Sequence, residues 1–345
     1  MLFCENQQRH RLELPIIRIT LLSLIVNWTM ETLPTEWLEP LVFRDGRALP
    51  NRILPGPMDG VTEGSFVSVL DVAGLASAWF TPFIRISNGV PRRARLREKL
   101  APYLATGKPV IAQIMGIYPD ILAEAARRLH EIGVVCVDLN CACPSATVLG
   151  SHSGGYCLTE PDWMAEALTK MKSACGTHAI SVKIRCGFSG TDEMPDIAAA
   201  IREAAPDMVT CHFRTVRELY KPVQEPYARL AKMHALLPGI PFIGSGDLFT
   251  VEDAQKMAKE AQVDGVAPAR GLLKNPALLR EIAATCAGKP CVSTLTSKQR
   301  LALLNRIGEA SGHRRKEQGF LLKIAREMFG EDSGEFQQLL EEISR

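Results

Sequence analysis

Nowhere does the 345-residue chain approach the roughly 18 consecutive apolar residues that cross a bilayer. Its nearest approach, Leu14–Val26, is broken by Arg18. Arg9, Arg11 and Arg18 precede the apolar run Leu21–Val26, but that run is short and no small-x-small cleavage pattern follows. The segment therefore reads as an extension outside the domain, with Met30 as an alternative start. An excess of one charge is also missing. Lys and Arg number 40 against 38 Asp and Glu, a net +2, so any nucleic-acid face must come from local clustering. Ten cysteines are too sparse for a disulfide scaffold. Cys136, Cys186 and Cys211 lie inside apolar strand-like runs, which suits free thiols in a reducing, cytoplasmic compartment. No GxGxxG follows the first strand candidate, which argues against a dinucleotide-binding fold. With 46% hydrophobic and 23% charged residues, the composition excludes disorder, collagen and a coiled coil.

From residue 52 onward, short runs rich in Val, Ile and Phe alternate with helical patterns, as the βα units of a parallel sheet do. The strand candidates are Arg52–Met58, Ala78–Ile86, Pro109–Met115, Val134–Asn140, Ala179–Arg185, Met208–Phe213, Pro241–Gly244 and Gly265–Ala267. Helical stretches between them include Ile121–Ile132, Trp163–Ser173, Pro195–Ala205, Glu225–Leu236, Val251–Ala261 and Pro276–Ala284. Leu122, Ala125, Ala126 and Leu129 show the helical spacing most clearly. Eight such units over about 240 residues match an α/β fold of (β/α)8 TIM-barrel type, ahead of a doubly wound open sheet. Beyond Pro290 no β-rich run remains, and Lys298–Glu309, Gly319–Met328 and Gly334–Ile343 read as helices. Residues 298–326 hold eight basic residues (Lys298, Arg300, Arg306, Arg314, Arg315, Lys316, Lys323, Arg326) against Glu309 and Glu317. The expected organisation is an N-terminal extension over 1–48, a barrel over 49–290 and a small C-terminal helical domain over 295–345.

Function in such a barrel sits at the C-terminal ends of the strands. The first station ends in Pro57-Met58-Asp59, the third in Gln113, the fourth in Asn140 followed by Cys141-Ala142-Cys143-Pro144. The fifth carries Lys183 and Arg185, the sixth ends in His212-Phe213-Arg214-Thr215, and the last two lead to Gly244-Ser245-Gly246-Asp247 and Ala269-Arg270-Gly271. Loops after the seventh and eighth strands often bind phosphate through backbone N–H groups. Their glycines allow close approach and Arg270 supplies charge, so the ligand is expected to carry a phosphate. An inward lysine without an acidic partner on its own strand is costly, which favours a ligand role for Lys183. Gln113 can donate and accept at once and so suits an edge bearing both C=O and N–H. Cys141-x-Cys143 with His152 or Cys157 fits no common zinc spacing, so no metal is expected. One of the two cysteines instead reads as a proton donor or nucleophile over the barrel mouth.

Together the runs PGPMDG, AQIMG, DLNCACPSATVLGS, SVKIRCG, HFRT, GSGD and ARGLLKNP resemble the tRNA-dihydrouridine synthase family over about residues 50 to 345. The resemblance implies an FMN-bearing TIM barrel followed by a helical RNA-binding domain, a flavoprotein that reduces uridine in tRNA to 5,6-dihydrouridine with NADPH. It implies that Cys143 is the general acid that protonates C5. It further implies that Pro57, Met58, Asp59, Gln113, Lys183, His212, Ser245, Gly246, Asp247, Ala269, Arg270 and Gly271 hold the flavin. Asn140 would position the uracil, with Arg85 and Arg214 as further substrate contacts, and the run Arg92, Arg93, Arg95, Arg97, Lys99 with the basic tail would meet tRNA phosphates. A monomer is expected.

The chain departs from the family pattern in several places. Ala146 stands where a basic residue is usual, Phe213 occupies a small-residue slot, and Ser245 and Ala269 replace an asparagine and a glycine. The chain therefore resembles a divergent member of that family. Two other readings follow from the same residues: an FMN-dependent oxidoreductase of free pyrimidines resembling dihydroorotate dehydrogenase, and a catalytically decayed RNA-binding protein.

Overall fold

The computed structural model describes residues 32–290, 295–311 and 315–344, so Leu14–Val26, Met30 and Arg314 lie outside the described residues. Ten strands occur in chain order: β1 (Leu41–Val42), β2 (Ala48–Leu49), β3 (Trp79–Phe80), β4 (Ile84–Arg85), β5 (Val110–Met115), β6 (Cys136–Asn140), β7 (Ala179–Arg185), β8 (Met208–His212), β9 (Phe242–Ser245) and β10 (Gly265–Val266). β1 and β2 form an antiparallel hairpin. The others make one parallel sheet in the order β10-β9-β8-β7-β6-β5-β3, with β4 continuing the second station beside β5. Pro82, which has no N–H to donate, falls between β3 and β4 and splits the expected strand Ala78–Ile86. Helices fill the crossovers, Pro119–His130, Pro161–Cys175, Met194–Ala204, Pro226–Ala235 and Val251–Ala261 among them.

The first station, expected as a strand, is an extended segment with one isolated bridge, Ile53 to Val266. Leu54 and Gly56 donate to the Val266 and Pro268 carbonyls at 2.9 and 2.7 Å, which joins it to β10. The alternate positions, whose N–H groups would point toward β3, are Pro55 and Pro57. No ladder can form on that side. Packing closes the barrel instead: Leu54, Ala78 and Phe80 share one buried cluster.

Period-two alternation sorts the inward-facing residues by height. The lower layers are apolar, with Ile111, Cys136, Ala179, Met208 and Ile243. The same faces continue upward as Gln113, Asp138, Ser181, Thr210 and Ser245, then Asn140, Lys183 and His212, so the C-terminal end of the barrel is polar.

Among the described residues, packing already includes Leu33, ahead of the boundary expected at 49. Leu41, Phe43 and Leu49 of the hairpin join the lower barrel cluster. Trp37 is 1% exposed and donates its Nε1–H to the Val263 carbonyl at 3.0 Å. Arg44 pairs with Asp207 at 2.6 Å. Two-residue strands carry no readable period, so sequence alone assigns this segment to the N-terminal extension. Replacing Trp37 with Ala should cost about 3–5 kcal/mol in denaturant unfolding. A loss under about 1 kcal/mol would mean that the segment contributes little.

At the other end, Ser297–Ser311 packs on the helix Gly64–Val72, and Arg315–Phe329 packs on Arg270–Lys274. Leu303, Leu304 and Ile307 of the first and Ile324, Ala325 and Met328 of the second are buried. The tail therefore rests on helices that follow the first and eighth stations.

Candidate active site at the barrel mouth

The chain leaves β6 through a loop that turns back on itself. Asn140 Oδ1 accepts the backbone N–H groups of Ala142 and Cys143, each at 3.0 Å. Gly155 then donates its N–H to the Cys143 carbonyl at 3.0 Å. A Cβ on Gly154 would fall 3.1 Å from Cys143 Cβ, so that close return requires glycine. Arg185, 3% exposed, ties this loop to the next but one. Its Nε donates to the Ala142 carbonyl at 2.8 Å and its Nη1 to the Thr215 and Leu219 carbonyls at 3.1 Å each.

The two cysteines of the loop separate cleanly. Cys141 is fully buried in the core, and a hydrogen bond with Cys157, together with burial, pushes its thiol well up. Cys143 is half-buried at the mouth. Burial and the nearby Asp59 push its thiol up, against the Ser145 N–H and the Lys183 and Arg185 charges. It is therefore protonated at neutral pH and suited to giving up a proton.

Lys183 stands beside Asn140 and Thr210 in the sheet register. It is half-buried, and burial and then Arg185 bring its ammonium down to about 8, with Asp138 opposing. Its Nζ has no hydrogen-bond or ion-pair partner among the described residues. His212 is buried, and burial with Arg185, Lys183, Arg214 and Arg270 around it holds its imidazolium well below the ordinary value. Its Nδ1 accepts the Arg214 N–H at 3.2 Å, so the neutral ring carries its proton on Nε2.

At the last two stations the loops lie against each other. A Cβ on Gly271 would sit 1.9 Å from the Leu248 carbonyl, and one on Gly56 would sit 2.8 Å from Ala269 Cβ. Gly246 has φ +150° and its missing Cβ would strike Phe213, which explains that residue's place: its ring covers the loop from behind. Arg270 donates to Asp247 at 2.7 Å with one Nη and lies over Tyr220 at 4.6 Å, which leaves further N–H groups for an anion. A partnerless lysine at the fifth station, with close-packed glycine loops and Arg270 at the last two stations, fits a phosphate-bearing, electron-rich cofactor.

Several expected contacts are redirected. Arg214 is buried, donating to the Lys221 carbonyl at 2.6 Å and to both oxygens of Asp247 at 2.8 and 2.6 Å, so it is not available to RNA. Asp247 is accordingly an organiser of Arg214 and Arg270. Burial alone would raise its carboxyl, but the two guanidiniums outweigh it and hold it low. Ser245 Oγ donates to the Ala267 carbonyl at 3.0 Å. Gln113 and Asn140 bond each other at 2.8 Å. Met58 and Thr62 bond each other beside Pro57 and the exposed Asp59. Exposed Arg85 donates to Ser151 Oγ at 3.1 Å, which places it on the rim by the Cys143 loop. Asp138 and Arg185, not singled out as site residues from sequence, are the buried charges that organise the mouth.

These features define a (β/α)8-barrel enzyme with a protonated thiol, a partnerless ammonium and a neutral imidazole at its mouth. The family model described as dihydrouridine synthase (Dus) matches residues 53–339, and the chain belongs to that family of oxidoreductases. Among similar proteins, the tRNA-dihydrouridine(16) synthase of Haemophilus ducreyi is 31% identical over 239 residues, 67% of this chain and 73% of that one. The enzyme of the same name from Yersinia pestis is 29% identical over 265 residues, 75% of this chain and 84% of that one. Two solved structures share the fold at 12% identity. The old yellow enzyme from Trypanosoma cruzi has a TM-score of 0.54 over 80% of this chain and 97% of its own. Morphinone reductase in complex with tetrahydroNAD has a TM-score of 0.51 over 76% and 93%.

Proposed function

We propose that the chain reduces uridine in tRNA to 5,6-dihydrouridine, with FMN as resident cofactor and NADPH as reductant. One observation carries the reading: the Cys143 thiol, held protonated by burial, shares a mouth with the partnerless Lys183 ammonium. FMN, when bound, supplies the hydride that adds to C6 of the uracil. Lys183 would lie against its electron-rich ring and Arg270 against its phosphate. Cys143 gives its proton to C5, and the His212 Nε2–H donates to a carbonyl oxygen. The uridine must leave its stack to enter. Family membership favours this over a free-pyrimidine oxidoreductase, and the intact set Cys143, Lys183, His212 and Arg270 favours it over a decayed binding protein. A cytoplasmic monomer is the form expected to act.

Exposed Arg92, Arg95, Arg97 and Lys99 on one side, and Lys298, Arg306 and Lys323 on the tail, are placed to meet RNA phosphates. Three other basic residues of these runs serve the protein: Arg93 pairs with Glu131, Arg300 donates to the Met328 carbonyl, and Arg326 pairs with Glu331. Reversing Lys298, Arg306 and Lys323 to Glu should weaken tRNA binding and flatten its salt dependence by about 0.7–0.9 per lost phosphate contact. An unchanged slope in a binding titration would remove the tail from the interface. Arg270→Ala should weaken FMN retention by about 1.5–3 kcal/mol. The reading as a whole is tested by purifying the chain, looking for a flavin spectrum, and measuring NADPH oxidation with and without unmodified tRNA. Absence of flavin, or oxidation indifferent to tRNA, would overturn it.

A further inference from the structure

A single chain of hydrogen bonds runs beneath the mouth through four side chains on three adjacent strands. Asp138 on β6 is fully buried. Its Oδ1 accepts from Ser181 Oγ at 2.6 Å, and its Oδ2 accepts from Gln113 Nε2 at 2.7 Å. Gln113 Oε1 accepts from Asn140 Nδ2 at 2.8 Å. Asn140 Oδ1 accepts the Ala142 and Cys143 backbone N–H groups at 3.0 Å.

Both ends of this chain have fixed polarity. A carboxylate can only accept, and a backbone N–H can only donate. The two carboxamides between them satisfy both ends in one orientation alone. In that orientation Asn140 Oδ1 is filled by two backbone N–H groups, while Gln113 Oε1 holds one donor and keeps a second lone pair. What Asn140 has left is one N–H, and Gln113 keeps one N–H beside that lone pair.

We propose that Asp138 is a positioning residue that sets the polarity of a Gln113–Asn140 amide relay. The relay pins the Cys143 backbone and leaves Asn140 to meet the occupant of the mouth as a donor only. Carbonyl oxygens or deprotonated nitrogens then match Asn140, while an N–H of the ligand does not. Gln113 keeps one N–H and one lone pair open, as its donate-and-accept role requires. This deepens the reading of Cys143 as proton donor and rests on it.

The test reads Cys143 directly. Iodoacetamide labelling of Cys143 is followed by peptide mass spectrometry on the purified chain, without tRNA or NADPH; the other described cysteines are buried. Asp138→Asn lets the lower end both donate and accept, so only the backbone N–H groups at the upper end still fix the relay's orientation. Gln113→Met cuts the relay at similar volume. Each should raise the labelling rate about fivefold, the equilibrium equivalent of one lost hydrogen bond. Combining Asp138→Asn with Gln113→Glu restores the polarity, because the new amide donates to the new carboxylate, which accepts from Asn140. Its rate should return to within about twofold of the native chain. Unchanged labelling in Gln113→Met, or a combined variant as reactive as Asp138→Asn, would overturn the proposal. Should Asp138→Asn not fold, Gln113→Met decides alone. Labelling is independent of turnover, so failure here with dihydrouridine formation intact is distinct from failure of the proposed function.

Discussion

The variant Cys143→Ala should keep its flavin and accept electrons from NADPH at a near-native rate, while its oxidation by tRNA falls roughly 10²–10⁴-fold. The split follows from chemistry. Hydride movement between NADPH and flavin needs no thiol, whereas the C5 proton does. Cys143 is the half-buried cysteine at the mouth, with its backbone held by Asn140. Cys141→Ala is the control, because Cys141 is buried in the core and hydrogen-bonded to Cys157. Loss of dihydrouridine formation in Cys141→Ala but not in Cys143→Ala would reverse the two assignments. Retention in both would place the acid elsewhere, with the His212 Nε2–H the first candidate.

Replacing Lys183 with Met should move stability and activity in opposite directions. The flavin-free protein should gain about 1–3 kcal/mol, because an ammonium without a protein partner no longer sits half-buried beside Arg185. Flavin reduction should fall by at least roughly tenfold, because the cation proposed to face the cofactor is lost. The pH dependence has a definite sign. Lys183 sits at about 8 in the folded chain against 10.5 ordinarily, so below pH 10.5 the unfolded chain takes up the proton first. Lys183 therefore makes the native protein lose stability as pH falls from 10.5 to 8, and the difference between native and variant should widen over that window. Parallel stability curves from pH 8 to 10.5 would show that the lysine is not desolvated.

Much of this was legible from local pattern. Continuous apolar runs gave away the central strands, because both faces of a parallel barrel strand are covered. Val251–Ala261 was read at its observed bounds. The helix Arg93–Leu104 was not read, since it is dense in charge and contains Pro102. Strand-end position was enough to bring Cys143, Lys183, His212 and Arg270 to one mouth. What position could not show is which polar groups find each other across strands. Arg214 and Asp247 are 33 residues apart and meet as a bidentate pair, which takes Arg214 away from substrate. Asp138 gives no sign along the chain of its partners, and Ser181 and Gln113 hold its two oxygens. Arg185 looked like the end of a strand, and its three carbonyl partners come from two loops that no spacing connects.

The central claim is tested most directly by nucleoside mass analysis. Unmodified tRNA is incubated in deuterated water with the purified chain and NADPH, then digested to nucleosides. The account predicts dihydrouridine formed in step with NADPH consumed, carrying one solvent deuterium at C5, and almost none from Cys143→Ala. Consumption of NADPH with no dihydrouridine, or the same yield from Cys143→Ala, would contradict it.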